Sequence, residues 1–271
     1  RWLVFDSNRR GNSDLYKVPL AGGDVAQLTD LPGDEFAPRW SPDGSEIAFN
    51  TGALRGGGRS SIMVQSARGG APVALVNSPG YNGVPAWSPD GLHIAFLRGV
   101  WGVGDSTGQR GQRWDAWVLS RDSVGGRWRE GVRLADFEAR PVDWAPEGSA
   151  VLCTREPSAL SVPVETLRSV SLEGRVLWRR DLAGTSRLFF PGGNPQCRYA
   201  RDGRTIYCIA TRGDGHRGIW AIPVSGGEAR LVIAADDPAL DLFGALAVGR
   251  DRLYATVSEY ESDIWVAKLR W

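Results

Sequence analysis

A phrase that occurs twice in this chain constrains its fold more than any other feature. PRWSPDGSEIAF spans residues 38–49, and PAWSPDGLHIAF spans residues 85–96. In both copies Ser-Pro-Asp-Gly suits a type I turn, because proline presets φ at the second position and glycine tolerates the positive φ that ends the turn. The residues after the turn alternate as they do in a β-strand. Each copy therefore predicts a β-hairpin whose first strand ends at tryptophan.

The phrase recurs in weaker form, which indicates a chain built from repeats. Later copies of the turn are WAPEG at 144–148, YARDG at 199–203 and AVGRD at 247–251. A further strand pattern follows each hairpin, in most copies with a Gly turn after it, at 13–23, 60–70, 114–126, 166–174, 217–227 and 262–269. We therefore predict six units of four strands, A to D, each of about 45 residues, which is the length of a propeller blade.

One such unit cannot bury both faces of its sheet, so the units are expected to stack around a ring. The predicted fold class is all-β, a single six-bladed β-propeller domain of four-stranded antiparallel blades. The predicted blades are 1–34, 35–78, 79–136, 137–186, 187–236 and 237–271. RWLVF at 1–5 aligns with strand B, so blade 1 lacks strand A and blade 6 lacks strand D in this chain. We expect the natural protein to extend upstream.

Large aromatic residues recur at equivalent places in the units, and we interpret them as core rather than as a ligand platform. Burying such side chains contributes roughly 1.5–3 kcal/mol each. They are Trp40, Phe49, Trp87, Phe96, Trp144, Tyr199, Trp220 and Trp265.

The pattern P-x-W-S-P-D-G-x-x-I-A-F, with an Asp-aromatic strand, Gly-Gly and Leu-Thr, resembles the WD40-like repeats of the TolB-like β-propeller family. Residues 38–49, 85–96, 14–23 and 28–29 carry the resemblance. It implies a protein-binding scaffold or accessory subunit of a bacterial cell-envelope or membrane-associated complex, located in the periplasm or otherwise outside the cytoplasm. Similar repeats also form propeller domains of prolyl-oligopeptidase-like peptidases, carbohydrate-active enzymes and sensor domains of membrane regulators, and these remain alternatives.

The charge balance argues against a nucleic-acid partner, and the hydropathy argues against a membrane span. The chain has 32 basic and 31 acidic residues, a net charge of +1. A nucleic-acid-binding domain usually has a pI above about 9 and a basic stripe, so no nucleic-acid partner is predicted. No apolar run approaches the roughly 20 residues of a membrane helix, so no membrane span is predicted in this chain.

The residues of known catalytic and metal sites are mostly missing from the sequence. The G-x-S-x-G elbow of a serine hydrolase does not occur. The two histidines are interpreted as a half-exposed strand residue (His93) and a solvated loop residue (His216), too few for a multi-histidine metal site. DSNRRGNSD at 6–14 fails the register of a calcium loop, and Asp14, with its counterpart Asp115, is interpreted as a structural turn contact. We predict no enzyme activity, no catalytic residue, no cofactor and no metal site.

The chain has three cysteines, an odd number that does not indicate a disulfide framework. Cys153 aligns with Phe49 and is interpreted as a core residue. Cys197 and Cys208 align with Pro38 and Phe49, so they face each other across a predicted hairpin. We interpret them as two buried thiols, with a cross-strand disulfide as the alternative.

The B–C loops of units two to four are predicted to be long, at 51–59, 97–113 and 155–165. Gly-rich residues 102–111 within the second are interpreted as a flexible insert. Long loops on a rigid scaffold commonly carry binding residues, and Trp and Arg are favoured in interface hot spots. The predicted partner-binding residues are Arg55, Arg59, Trp101, Arg110 and Arg113. The alternative is an ordinary solvated face.

Overall fold

The computed structural model describes most of the chain, and the elements with defined bounds in that part are β-strands. The described residues are 2–52, 59–104, 110–129, 131–135, 139–154, 166–182, 188–189, 196–235, 241–258 and 262–268. For residues 100–104, 110–113, 189, 241, 243–244, 258 and 262–268 only the backbone is described. Within this part of the chain no helix has the length and apolar character needed to cross a bilayer.

The chain divides into two compact units, and the first, Arg1–Pro141, holds three sheets. Sheet 1 contains β1 (Trp2–Ser7), β2 (Asp14–Pro19) and β3 (Ala26–Gln27). Sheet 2 contains β4 (Glu35–Trp40), β5 (Glu46–Thr51), β6 (Ser61–Ser66) and β7 (Val73–Val76). Sheet 3 contains β8 (Tyr81–Trp87), β9 (His93–Gly104), β10 (Arg110–Ser120) and β11 (Val132–Arg133). In each sheet the strands lie side by side in chain order.

The second unit, Val142–Trp271, holds the other three sheets of the described residues. Sheet 4 contains β12 (Arg140–Trp144), β13 (Ala150–Thr154), β14 (Thr166–Ser171) and β15 (Val176–Asp181). Sheet 5 contains β16 (Leu188–Phe189), β17 (Cys197–Tyr199), β18 (Thr205–Arg212), β19 (Arg217–Pro223) and β20 (Arg230–Ala234). Sheet 6 contains β21 (Asp241–Val248), β22 (Arg252–Ser258) and β23 (Ser262–Lys268). In sheet 5 both β16 and β17 pair with β18.

The predicted turns are present, including two of the weaker copies. Gly44 donates its N–H to the Ser41 carbonyl at 2.9 Å and has φ of 72°. The same bond recurs in the later turns, from Gly91 to Ser88, Gly148 to Ala145 and Gly203 to Ala200. In the weakest copy, AVGRD, Gly249 instead donates to the carbonyl of Arg252. This copy therefore forms a tighter loop between β21 and β22, because its glycine is the third residue of the phrase and not the fifth.

Adjacent sheets of the first unit pack through apolar side chains and one buried cation. Leu15 of sheet 1 packs against Ile47 and Phe49 of sheet 2. Between sheets 2 and 3, Arg121 is 4% exposed and lies over the Trp87 ring, 5.2 Å from its centroid. The Arg121 guanidinium also forms an ion pair with Glu46 at 2.7 Å. The pairing compensates the cost of burying the charge.

The second unit has two apolar clusters that join its neighbouring sheets. Leu152 and Leu167 of sheet 4 belong to the same cluster as Trp220 of sheet 5. Tyr207 of sheet 5 belongs to a cluster with Leu253 of sheet 6. Within the second unit, sheets 4 and 5 and sheets 5 and 6 therefore bury apolar side chains against each other, as the repeat pattern predicts.

The aromatic residues predicted as core are buried in most positions. Phe49, Phe96 and Trp220 are at most 1% exposed, and Trp87, Trp144 and Tyr199 are at most 8% exposed. Trp40 is only half-buried and packs at the margin of the cluster that contains Phe49. The side chain of Trp265 lies outside the described residues.

Candidate protein-binding site

The second hairpin of sheet 3 is longer than its counterpart in sheet 2 and projects beyond the sheet. In sheet 2 the pairing between β5 and β6 ends at Thr51 and Ser61. In sheet 3 the pairing of β9 with β10 continues past the equivalent pair, Arg98 and Asp115, as far as Gly104 and Arg110. We call residues 99–104 with 110–114 the ribbon. The expectation of a long loop over 97–113, with a flexible insert at 102–111, is therefore wrong for these residues, because most of them are paired as strands.

The ribbon carries three of the five residues predicted to bind a partner. In its register Trp101 lies opposite Gln112, and Arg113 lies opposite Val100. The register shifts between Gly111 and Gln112, which marks a β-bulge. Bulges re-aim the residues that follow them and often occur beside binding sites. The pairing thus brings Trp101, Arg110 and Arg113 onto one two-stranded element.

The base of the ribbon is held by close aromatic packing. Gly99 lies where β9 leaves the sheet, and a Cβ at this position would lie 2.7 Å from the Trp114 ring. The Trp114 ring meets that of Tyr81 edge-on, with centroids 5.4 Å apart. The Arg140 guanidinium lies 5.6 Å from the Trp114 centroid. Burial raises the pKa of the Tyr81 hydroxyl, consistent with its enclosed position. These contacts anchor the ribbon rigidly at its base.

The two remaining predicted residues precede strand β6 of the adjacent sheet. Arg59 is exposed, and its carbonyl oxygen lies against Gly52, whose φ is 90°. A Cβ on residue 52 would collide with that oxygen, so glycine is needed for this approach. Arg55 lies outside the described residues, as does the loop predicted at 155–165. Sequence reasoning missed Tyr81, Trp114 and Arg140, since their contacts arise only when the strands pair.

The structure describes both histidines, His93 at the start of β9 and His216 in a turn. The Nδ1 atom of His93, which is half-buried, lies 2.8 Å from the Ser120 hydroxyl, across the β9–β10 pair. His216 is exposed in the turn between β18 and β19. In the part of the chain that the structure describes, no group of three or more His, Cys, Asp or Glu side chains is arranged to hold a metal ion.

A small polar cavity lies away from the ribbon. It has a volume of about 350 Å³ and is lined by Asp122, Arg127, Trp128 and Arg129, in the segment between β10 and β11. Arg129 and Asp122 form an exposed ion pair across it.

Cys197 and Cys208 form a disulfide, so the interpretation as two buried thiols is wrong. The two residues are direct partners in the β17–β18 register, and their Cα atoms lie 4.2 Å apart. Aligning the repeat units placed the two cysteines opposite each other, but it gave no information on whether they are oxidised. Cys153 is a free and buried thiol, and burial raises its pKa to about 12.

Comparison with family models and with curated sequences gave no match. Solved structures do match. TolB from Acinetobacter baumannii has a TM-score of 0.61 at 16% identity, over 94% of this chain and 60% of that chain. Hydrazine synthase from Kuenenia stuttgartiensis has a TM-score of 0.71 at 13% identity, over 98% and 43%. Oligogalacturonate lyase from Vibrio parahaemolyticus has a TM-score of 0.54 at 14% identity, over 97% and 73%.

These matches span nearly the whole chain, and the TolB structure, a β-propeller, is among them. The chain is a β-propeller. The propeller corresponds to three fifths of the Acinetobacter TolB chain and to less than half of the hydrazine synthase chain. At identities below 20% the likeness concerns the fold of the propeller alone.

Proposed function

We propose that this propeller is a non-catalytic, protein-binding subunit, an accessory or scaffold component of a bacterial cell-envelope or membrane-associated complex. The observation that supports the proposal best is the ribbon, a long β-hairpin anchored at Gly99 and Trp114. It carries Trp101, Arg110 and Arg113, and Trp and Arg are the residue types enriched in interface hot spots. A rigid scaffold with one projecting element suits docking better than it suits enclosing a small substrate.

We further propose that the six sheets are the six blades of one propeller domain. The strands of each sheet lie inside one predicted blade range, from 1–34 to 237–271. Sheets 1 and 6 have three described strands each, while the sheets between them have four or more.

The disulfide supports a location outside the cytoplasm. Stable disulfides are rare in the reducing cytosol and common in the periplasm and in secreted proteins. The Cys197–Cys208 pair is enclosed, with both residues 0% exposed. The likeness to TolB, placed in the cell envelope by the family resemblance, points the same way.

A binding experiment with the ribbon removed tests the role. A photo-crosslinking residue at position 101 should capture a partner in the native host, whereas the same residue at exposed Val73 on β7 should not. The captured protein is then purified and its affinity measured for the intact chain and for a chain with 101–112 replaced by a short Gly turn. We expect the shortened chain to keep its thermal stability and to lose at least 100-fold in affinity.

An unchanged affinity after this replacement contradicts the proposed site. Because the similar structures include a lyase as well as TolB, the purified chain is also assayed with oligogalacturonate and divalent metal. Turnover there contradicts the non-catalytic role and favours a carbohydrate-active propeller.

A further inference from the structure

Two acidic side chains meet in the interior of the first unit, where sheet 1 adjoins sheet 2. Asp14 is 2% exposed and Glu35 is 0% exposed. Glu35 donates its N–H to the carbonyl of Ser13, the residue before Asp14, at 2.7 Å, and the Thr29 hydroxyl accepts the N–H of Leu15, the residue after Asp14, at 2.8 Å. Among the described residues, no donor is placed in good geometry on either Glu35 oxygen or on Asp14 Oδ1. We call Asp14 and Glu35 the carboxyl pair.

The equivalent place beside β10 and β11 of sheet 3 shows how the repeat balances one acid. Leu28 and Leu134 make the same backbone bond, to Leu15 and to Ala116 respectively, which fixes the correspondence between the two places. Asp115 thus corresponds to Asp14, and it forms an ion pair at 3.1 Å with Arg133.

The residues beside the carboxyl pair differ from those beside Asp115 in two ways. Gln27 corresponds to Arg133, because each directly precedes the leucine of that backbone bond. A neutral amide therefore occupies the position of the guanidinium. Its Nε2 donates to Asp14 at 3.1 Å but brings no charge. Glu35 corresponds to Ala139. Each donates its N–H to the carbonyl oxygen of the residue that precedes the aspartate, Glu35 to Ser13 and Ala139 to Trp114. The surroundings of Asp14 therefore contain one acidic side chain more, and one basic side chain fewer, than the surroundings of Asp115.

The place between sheets 2 and 3 is neutral and its polar atoms are satisfied. Asn82 corresponds to Glu35 and is 0% exposed. Its amide nitrogen donates to the carbonyl oxygens of Ser60 at 2.8 Å and Ser78 at 3.2 Å, and Ser78 donates to its Oδ1 at 3.3 Å. Unmatched oxygens are thus a property of the carboxyl pair and not of the repeat.

We propose that the carboxyl pair binds a hard cation of the Ca²⁺ class, held by Asp14, Glu35 and the Thr29 hydroxyl. Buried carboxylates need a compensating charge, and carboxylate and hydroxyl oxygens are the donors that Ca²⁺ prefers. The cation takes the place that the Arg133 guanidinium fills beside Asp115. Two carboxylates are few for Ca²⁺, so we expect a dissociation constant of about 10⁻⁴–10⁻³ M, as in extracellular calcium modules.

Thermal unfolding of the full chain at pH 8 tests the site. We compare 1 mM EDTA with 10 mM CaCl₂, and with MgCl₂ and NaCl at matched ionic strength, as conditions in roughly the millimolar range where such sites fill. Binding to the native state alone should raise Tm by about 3–8 °C in CaCl₂. MgCl₂ and NaCl should give less than half of this shift, because Mg²⁺ dehydrates reluctantly and Na⁺ has a single charge.

Two variants assign the effect to the carboxyl pair. Glu35→Gln should abolish the Ca²⁺ shift, since it removes a ligand charge while keeping the side-chain shape. Gln27→Arg should also abolish it, and should raise Tm in EDTA, because the new guanidinium pairs with Asp14 as Arg133 pairs with Asp115. Asp43→Asn, in an exposed turn of the same unit, is the matched control and should keep the full shift.

Absence of a Ca²⁺ shift in the wild-type chain overturns the proposal and indicates that the two carboxyl groups share a proton instead. A shift that survives in Gln27→Arg and Glu35→Gln also overturns it, because the cation then binds elsewhere. These outcomes are independent of partner binding, which is measured on the ribbon.

Discussion

At the scale of single residues, the Ser-Pro-Asp-Gly turn is stabilised by its aspartate. Asp43 Oδ1 accepts hydrogen bonds from the Ser41 hydroxyl at 2.6 Å and the Ser45 N–H at 3.0 Å, and Oδ2 accepts from the Ser45 hydroxyl at 2.7 Å. The Ser41 hydroxyl, followed by the two Ser45 donors, lowers the pKa of Asp43 to about 2. Asp90 repeats the arrangement with Ser88 and Leu92. The carboxylate form of the side chain is thus part of the turn.

The lowered pKa of Asp43 predicts a specific loss of stability in acid. An unfolded aspartate titrates near 3.9, so the native state favours the ionised form and the turn contributes stability above about pH 4. That contribution should disappear as the pH falls from about 4 to 2. The difference in unfolding free energy between wild type and Asp43→Asn, measured in urea, should be constant above this range and shrink within it. A difference that stays constant down to pH 2 contradicts the prediction.

The turns were predictable because their chemistry is local, whereas the backbone just before them was not. Ala37 and Val84 each precede a proline and have φ of 53° and 55°. Such values are unusual for residues other than glycine, above all for a β-branched one. Each N–H donates to a side chain of the preceding sheet, Ala37 to Asp6 at 3.3 Å and Val84 to Asn50 at 3.2 Å. Packing between sheets, which no local pattern encodes, supports these conformations.

At the scale of elements, the order of the strands could be predicted, but the length of one hairpin could not. Strands A to D follow from alternating residues and turn signals. The segment GVWGVGDSTGQRG has no such alternation and is rich in glycine, so it favours a loop when considered alone. In the protein, β9 and β10 continue a register that is already set by Ala95 and Val118 in the buried sheet. Tertiary context therefore decides the outcome.

The disulfide between β17 and β18 makes a measurable contribution to this hairpin. It closes a short loop, because the cysteines are 11 residues apart, and such links typically contribute about 2–4 kcal/mol. We expect reductant to lower the unfolding free energy by this amount in urea titrations. A Cys197→Ala/Cys208→Ala chain should be insensitive to reductant.

Thiol titration provides the control for the disulfide. Denatured, unreduced protein should show one reactive thiol, Cys153, and reduced protein should show all three cysteines. Native protein should react slowly at pH 8, because Cys153 is buried and the pKa of its thiol is about 12. Three reactive thiols without reductant would contradict the disulfide.

At the scale of the whole molecule, basic and acidic residues balance, so the chain has little net charge with which to attract a polyanion. The net charge is +1, and several arginines are neutralised by acids, such as Arg121 by Glu46 and Arg133 by Asp115. The near-equal balance of basic and acidic residues, which already argues against a nucleic-acid partner in the sequence, leaves little long-range field. The all-β propeller could also be predicted from the sequence, because each repeat unit has the same pattern of strands and turns.

The balanced charge predicts no appreciable affinity for DNA. Non-specific DNA binders neutralise several phosphates and lose affinity steeply with salt. We expect fluorescence anisotropy with a labelled duplex to show a dissociation constant weaker than about 100 μM at physiological salt. Tight binding with a steep salt slope would contradict this prediction.

The ribbon has one margin that bears on how far the sequence of a partner can change in evolution. Its inner strand β9 pairs with β8 only as far as Gly99, opposite Tyr81, so among the described strands none lies beside residues 100–104 on that side. An extended segment of the proposed partner would pair with the peptide groups along this margin. Backbone hydrogen bonds are the same for almost any amino acid. A partner strand paired there would therefore keep these bonds while its side chains change. The proposed assembly would therefore tolerate changes of sequence in both chains.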